Sequence, residues 1–271
     1  MSGFGKYGPW AVIAGASDGT GAAFAAELAR RGVNLVLVAR RRALLEELAG
    51  ELPVETRVVT LDLSTPTAID ELAEATADLE VGLLVYNAGA DQVNLPLLDR
   101  DPAEARGMVV RNCNNVLEAC HRFGGAMVGR GHGGLLLVTS GAAWAGGRGL
   151  TPYAATKAFD LVLAESLWAE WGPSGVDVLG LVLGATDTPA LRRSLDRHGG
   201  HMGELADPAA VAAEAFEHLV DGPTWSYGMP DPSGGSPFGA LPRRQAVELM
   251  SAGAASMYAE GEPKPGASER G

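Results

Sequence analysis

The chain has 271 residues, 46% apolar and 20% charged, and a formal charge of −12. This balance describes a globular chain large enough to bury a full core, and it excludes a disordered one. Net acidity argues against nonspecific binding to nucleic acid, and no apolar run is long enough to span a bilayer.

No charged start followed by a long apolar stretch marks a signal peptide. Cys113 and Cys120 are the only cysteines, and their spacing is neither a CxxC pair nor a disulfide framework. Two reduced thiols on a helix, in a cytoplasmic protein, are the expectation. The bias toward Ala, Gly and Arg with little Lys fits a GC-rich bacterial source.

In chain order, short apolar runs fall at 11–14, 33–39, 57–61, 81–86, 134–140 and 176–183. Apolar without alternation, they suit parallel strands covered on both faces. Helical patterns separate them at 22–31, 42–52, 67–77, 102–127 and 152–171. Alternation of strand and helix predicts a Rossmann-like, doubly wound parallel sheet of about seven strands, a three-layer α/β/α fold. Right-handed crossovers put all strand C-termini on one edge, where a ligand binds. Beyond residue 185, Asp207-Pro208 opens a helix to about 220, and residues 224–228 read as a last short strand. A Pro/Gly/Ser-rich loop at 231–238 and a helix at 241–258 follow. Residues 1–259 are expected to form one domain and 260–271 a disordered tail.

The first strand runs into AGASDGTG, with Gly15, Gly19 and Gly21. Glycines permit a tight turn and let backbone amides at a helix N-terminus approach a pyrophosphate. Ser17, Asp18 and Thr20 are its polar members. The end of the second strand decides which nucleotide. Ala39 stands where an acid would hold a ribose 2′-hydroxyl, and Arg40, Arg41 and Arg42 follow. With no carboxylate to repel a 2′-phosphate and planar guanidinium forks to bind one, NADP(H) is favoured over NAD(H). Arg40 is the expected phosphate ligand. Arg41 is a second candidate, although it and Arg42 also suit the first turn of the next helix.

TPYAATKAFD, Thr151 to Asp160, holds Lys157, the one lysine between Lys6 and Lys264. Tyr153 and Lys157 are i and i+4, so on a helix they share a face. A free phenol ionises near pH 10, too high for efficient proton transfer at neutrality, and an adjacent ammonium favours the phenolate.

With AGASDGTG, the Asp62-Leu63 pair, NAG at 87–89, Ser140 and YAATK in order, the chain resembles the short-chain dehydrogenase/reductase family over about residues 8–230. The resemblance implies an oxidoreductase moving hydride between nicotinamide and a ketone/secondary-alcohol pair. It assigns Tyr153 as proton donor, Ser140 as the group holding the carbonyl oxygen, and Lys157 as ligand of the cofactor ribose. Asn112 matches the asparagine that holds a water linked to Lys157, with Asn114 and Asn115 as neighbouring registers. Asp62 and Leu63 fall to the adenine pocket, and Asn87, Ala88 and Gly89 to the nucleotide cleft. LGATDT brings Thr186 and Thr188 to the nicotinamide, with Leu183 in place of a usual proline.

The second-strand region, NLVLVARRRALLEELAGEL, looks like the branch with 3-oxoacyl and hydroxysteroid reductases, so a hydrophobic carbonyl substrate is expected. Val93, Leu95 and residues 190–202 are placed to border it, the last as a lid. Trp144 either floors the pocket or packs under a loop. Trp168 and Trp171 are expected at a helix interface. The resemblance also implies a homodimer or homotetramer built on the helices at 102–127 and 152–171. No metal site is expected: His198 and His201 form an HxxH without a third ligand nearby. Two rivals remain, a nucleotide sensor without turnover and a family member whose chemistry is not net redox.

Overall fold

The computed structural model describes residues 4–91, 94–198, 203–229, 231–233 and 235–257. Val93, His201 and the expected tail at 260–271 lie outside the described residues.

Seven strands form one parallel sheet in the order β3-β2-β1-β4-β5-β6-β7. They are β1 (Trp10–Ala14), β2 (Asn34–Ala39), β3 (Thr56–Thr60), β4 (Val81–Tyr86), β5 (Gly133–Ser140), β6 (Val176–Leu183) and β7 (Thr224–Ser226). The order reverses between β1 and β4, which opens the crevice where such sheets bind ligands. The strands lack polar/apolar alternation because both faces are buried. Ala11 and Ile13 enter one core with Leu35, Leu37, Leu83 and Leu181; Val12 and Ala14 enter the other with Val36, Leu84, Leu135 and Val178.

Helices α1 (Gly19–Arg30), α2 (Arg42–Glu51) and α8 (Pro208–Glu217) cover the first face through Phe24, Leu28, Leu45, Val211 and Phe216. The second face carries α3 (Ala68–Ala75), α5 (Asn115–Arg130) and α6 (Tyr153–Trp171), through Ile69, Leu72, Val116, Phe123, Ala164 and Leu167. Helix α5 meets α6 closely at Gly124, where a Cβ would lie 2.2 Å from the Trp171 ring. Trp171 is thus at the expected helix interface, whereas Trp168 is 42% exposed.

One expectation is corrected. The single helix at 102–127 is α4 (Pro102–Val109), a π turn at Val110–Asn114, and then α5. A π turn frees a backbone carbonyl from the helical ladder. Here the Tyr86 hydroxyl donates to the Arg111 carbonyl at 2.8 Å and satisfies it. The stretch after Thr188 is a helix, α7 (Pro189–His198), with Pro at its first position. The last helix, α9, spans Arg243–Met257. No helix among the described residues is long and apolar enough to cross a membrane.

Candidate active site

Every motif of the sequence reaches the C-terminal edge of the sheet. The glycine turn closes against its neighbours with no room for side chains. A Cβ on Gly15 would lie 2.8 Å from the Ala88 nitrogen, and one on Gly19 would lie 2.9 Å from the Thr188 methyl. A Cβ on Gly21 would lie 2.0 Å from the Gly15 carbonyl oxygen. Gly15 and Gly19 also have φ of +90° and +57°, a region that other residues rarely adopt. The turn therefore packs against both the NAG segment and the LGATDT loop.

Asn87 braces this junction. Its Nδ2 donates to the Gly15 carbonyl at 3.0 Å, and its Oδ1 accepts from the Thr20 hydroxyl at 2.9 Å. Arg41 crosses to the turn, where it donates to Ser17 Oγ at 2.8 Å and to Asp18 Oδ2 at 2.7 Å. Arg42 is the first residue of α2 and pairs with Glu46 at 2.7 Å. Arg40 is exposed and makes no side-chain hydrogen bond or ion pair among the described residues. Asp62 caps its own turn by accepting from the Ser64 amide at 2.9 Å, and the Leu63 side chain is buried in the second core.

The π turn resolves the three asparagines. Asn112 is fully buried, donating to the Gly89 carbonyl at 3.1 Å and to Thr156 Oγ1 at 2.9 Å. Asn115 instead ties the Leu63 and Thr65 carbonyls, both at 2.8 Å, and Asn114 is exposed. Lys157 is buried on α6, and its Nζ donates to the Val138 carbonyl at 2.8 Å and to Asp160 Oδ2 at 3.0 Å. Ser140 ends β5 and accepts from the Ala142 amide at 3.2 Å. Tyr153 begins α6, one turn before Lys157.

Ser140, Tyr153 and Lys157 line one cavity of about 490 Å³, within the range of small-molecule sites. Trp144 lines it too, while its carbonyl accepts from Arg243 of α9 at 3.0 Å. Thr186 is buried and Thr188 receives the Leu191 amide at 3.2 Å, which starts α7. Ser194 of α7 accepts from Asn94 at 3.1 Å, joining the helix to the loop after β4. That loop is further fixed by a buried Arg100–Asp91 pair at 2.7 Å.

Residues outside the sequence motifs also contribute. Met229, Phe238 and Met250 reach the cavity from the last fifth of the chain, and α9 packs on Leu150 and Ala154. Among the described residues Arg111, beside Asn112, donates only to neutral acceptors: Asn112 Oδ1, Ser64 Oγ and the Ala90 carbonyl. Burial, and then the positive charge of Arg40, lower its pKa from the ordinary guanidinium value. Asp160 lay inside the motif-bearing segment, but an i, i+3 pair on a helix is as common on a solvated face as in a core. Among the described residues no group of three His, Cys, Asp or Glu side chains is placed to hold a metal.

A doubly wound parallel sheet with this cleft at its topological switch point places the chain among the Rossmann-like α/β proteins. The chain belongs to the short-chain dehydrogenase family, whose model matches residues 9–198. It is 34% identical over 222 residues to a 7beta-hydroxysteroid dehydrogenase of Clostridium sardiniense, covering 79% of this chain and 80% of that one. A solved structure from work on 7beta-hydroxysteroid dehydrogenase stereoselectivity superposes with a TM-score of 0.83 at 28% identity, covering 92% and 99% of the two chains. A short-chain dehydrogenase from Sphingobium yanoikuyae in complex with NADPH superposes with a TM-score of 0.72 at 25% identity, covering 97% and 100%.

Proposed function

We propose that the protein is an NADP(H)-dependent oxidoreductase that interconverts a ketone and a secondary alcohol on a bulky apolar substrate of the steroid kind. The observation that carries this reading is the convergence of Ser140, Tyr153 and Lys157 on one cavity whose far wall is apolar, with Leu150, Met229, Phe238 and Met250. Similarity to a hydroxysteroid dehydrogenase supports the substrate class.

The cradle fits a dinucleotide. The glycine turn has no space for Cβ atoms and presents the N-terminus of α1, suited to a pyrophosphate. With Ala39 in the acidic position and Arg40 uncommitted, the end of β2 fits a 2′-phosphate. In this reading Gly15, Ser17, Asp18, Gly19, Thr20 and Gly21 shape the phosphate site, and Arg40 and Arg41 take the 2′-phosphate. Asp62 and Leu63 border adenine, while Asn87, Ala88 and Gly89 border the ribose. Lys157 holds the second ribose, and Thr186 and Thr188 face the carboxamide.

The bound nicotinamide supplies or accepts the hydride. Tyr153 gives its phenolic proton to the substrate oxygen in reduction and takes it back in oxidation. Ser140 donates to the same oxygen and meets the charge that develops there. Asn112, held by Gly89 and Thr156 beside Lys157, fixes the floor of the proton path.

The protein acts as a single catalytic domain over residues 1–259, in the cytoplasm. It assembles as a homodimer or homotetramer, supported by exposed Val109, Leu117, Val162 and Trp168 on α4, α5 and α6. The test is a panel of hydroxysteroids, ketosteroids and 3-oxoacyl thioesters, followed by nicotinamide absorbance with NADPH and NADH in parallel. Steroid-dependent oxidation of NADPH is expected. NADPH binding without oxidation across the panel points to a sensor, and product without absorbance change to chemistry that is not net redox.

A further inference from the structure

Lys157 and Asp160 lie three residues apart on α6, and their side chains are each only 4% exposed. The ammonium has three N–H donors. One goes to the Val138 carbonyl at 2.8 Å and one to Asp160 Oδ2 at 3.0 Å. The lysine also lines the cavity, and its Nζ presses on the loop after β4, since a Cβ on Gly89 would lie 2.6 Å from it. Two of the three donors are thus committed on the protein side, and the third remains for the cleft.

The carboxylate is costly where it sits. Its Oδ1 is buried with no hydrogen-bond partner among the described residues. Burial pushes the Asp160 carboxyl above its ordinary range, and the Lys157 ammonium pulls it back. The other titratable groups that feel its charge are Tyr86 on β4, Cys113 in the π turn and Cys120 on α5. All three are held in their neutral forms by burial, so Lys157 is the cation that answers Asp160. An apolar residue of similar volume commonly serves a core as well as a buried ion pair does, or better. Packing therefore gives no reason for a carboxylate here, whereas a charge-assisted bond to a side chain that must point one way does.

We infer that Asp160 is a positioning residue of the active site: it anchors the Lys157 ammonium so that the remaining N–H faces the ribose side of the cleft beside Tyr153. The inference rests on the reading of Lys157 given above.

Asp160→Asn, Asp160→Leu and Lys157→Met separate the possibilities. Affinity is measured by protein fluorescence for NADPH and for adenosine 2′,5′-bisphosphate, which lacks the nicotinamide ribose. Asp160→Asn is expected to lower both kcat and NADPH affinity, kcat by roughly 10–100-fold, the size of one hydrogen bond to a charged group. Bisphosphate affinity should stay within about twofold, because that half of the cleft is distant and uncoupled. In a Lys157→Met background, Asp160→Asn should leave NADPH affinity where Lys157→Met put it. Should Asp160→Asn fail to fold, Asp160→Leu carries the same comparison with the orphaned oxygen removed.

Wild-type kcat and NADPH affinity in Asp160→Asn, with Lys157→Met inactive, overturn the role of Asp160. So does a lower melting temperature with kcat of the folded protein unchanged. Full activity in Lys157→Met overturns the underlying reading of the lysine instead.

Discussion

The side-chain amide of Asn87 and the backbone of Gly15 are bonded across the switch point of the sheet. Asn87 Nδ2 donates to the Gly15 carbonyl at 3.0 Å while Asn87 Oδ1 holds the Thr20 hydroxyl. The amides of Asn87 and Ala88 in turn donate to the Ala14 carbonyl at 3.0 and 2.8 Å. The end of β4 is therefore the mould of the glycine turn after β1. Asn87 shapes the glycine turn with both ends of its amide already engaged.

Removing that brace should loosen the turn without touching the cores. Asn87→Ala loses two side-chain hydrogen bonds, and we expect a cost of about 1–3 kcal/mol in urea unfolding. NADPH affinity should fall by roughly tenfold, since each 1.4 kcal/mol of lost preorganisation is a factor of ten. Gly21→Ala is the harsher change, because its Cβ would lie 2.0 Å from the Gly15 oxygen. Equilibrium unfolding and fluorescence titration read both. Wild-type NADPH affinity in both variants would show that the turn does not hold the nucleotide.

Tyr153 and Ser140 are expected to separate chemistry from binding. Tyr153→Phe deletes the proposed proton donor and should lower kcat by about 100–10,000-fold, the range of general acid catalysis. Ser140→Ala removes the second proposed donor to the developing charge and should cost roughly 100–1,000-fold. NADPH affinity should hold in each. Steady-state kinetics alongside direct titration checks this, and retained turnover in Tyr153→Phe would remove the phenol from the mechanism.

Adjacent arginines make a sharper pair. Arg40 is exposed and uncommitted, whereas Arg41 is already bonded to Ser17 and Asp18 of the glycine turn. Arg40→Ala should weaken NADPH by about 10–100-fold, one charge-assisted bond, with NADH little changed. Arg41→Ala should weaken both cofactors, because it also releases the turn. Dissociation constants for the two nucleotides decide the matter. An equal loss for both in Arg40→Ala sinks the 2′-phosphate role.

Much of this was legible in the sequence, for identifiable reasons. Val36, Leu37 and Val38 are adjacent and all buried, so a strand covered on both faces shows itself as an unbroken apolar run. Tyr153 and Lys157 needed only helical spacing to be brought together. What stayed hidden depends on distant partners. The π turn at 110–114 gave no pattern, since what satisfies its carbonyl is a hydroxyl on β4, 25 residues away. Helix α7 carries RRSLDRH, too polar for an apolar stripe, and its Ser194 is oriented by Asn94, 100 residues earlier. The apolar wall from Phe238 and Met250 sits in a region whose composition resembles loop and surface helix.

The two cysteines provide a final expectation with a definite sign. Burial, reinforced by the negative charge of Asp160, pushes the Cys113 thiol up to about 11, and burial pushes Cys120 higher still. The thiolate is the reactive form, so at neutral pH Cys113 should react with iodoacetamide a few hundredfold more slowly than a free thiol of ordinary pKa. Both thiols should label rapidly in urea, and native labelling of Cys113 should accelerate as pH rises toward 11. Asp160→Asn removes the anion that raises this thiol, so labelling of Cys113 at a given pH should become faster. Mass spectrometry of timed alkylation reads each rate. Complete native labelling at neutral pH within the time a free thiol takes would show that Cys113 is not shielded in the π turn.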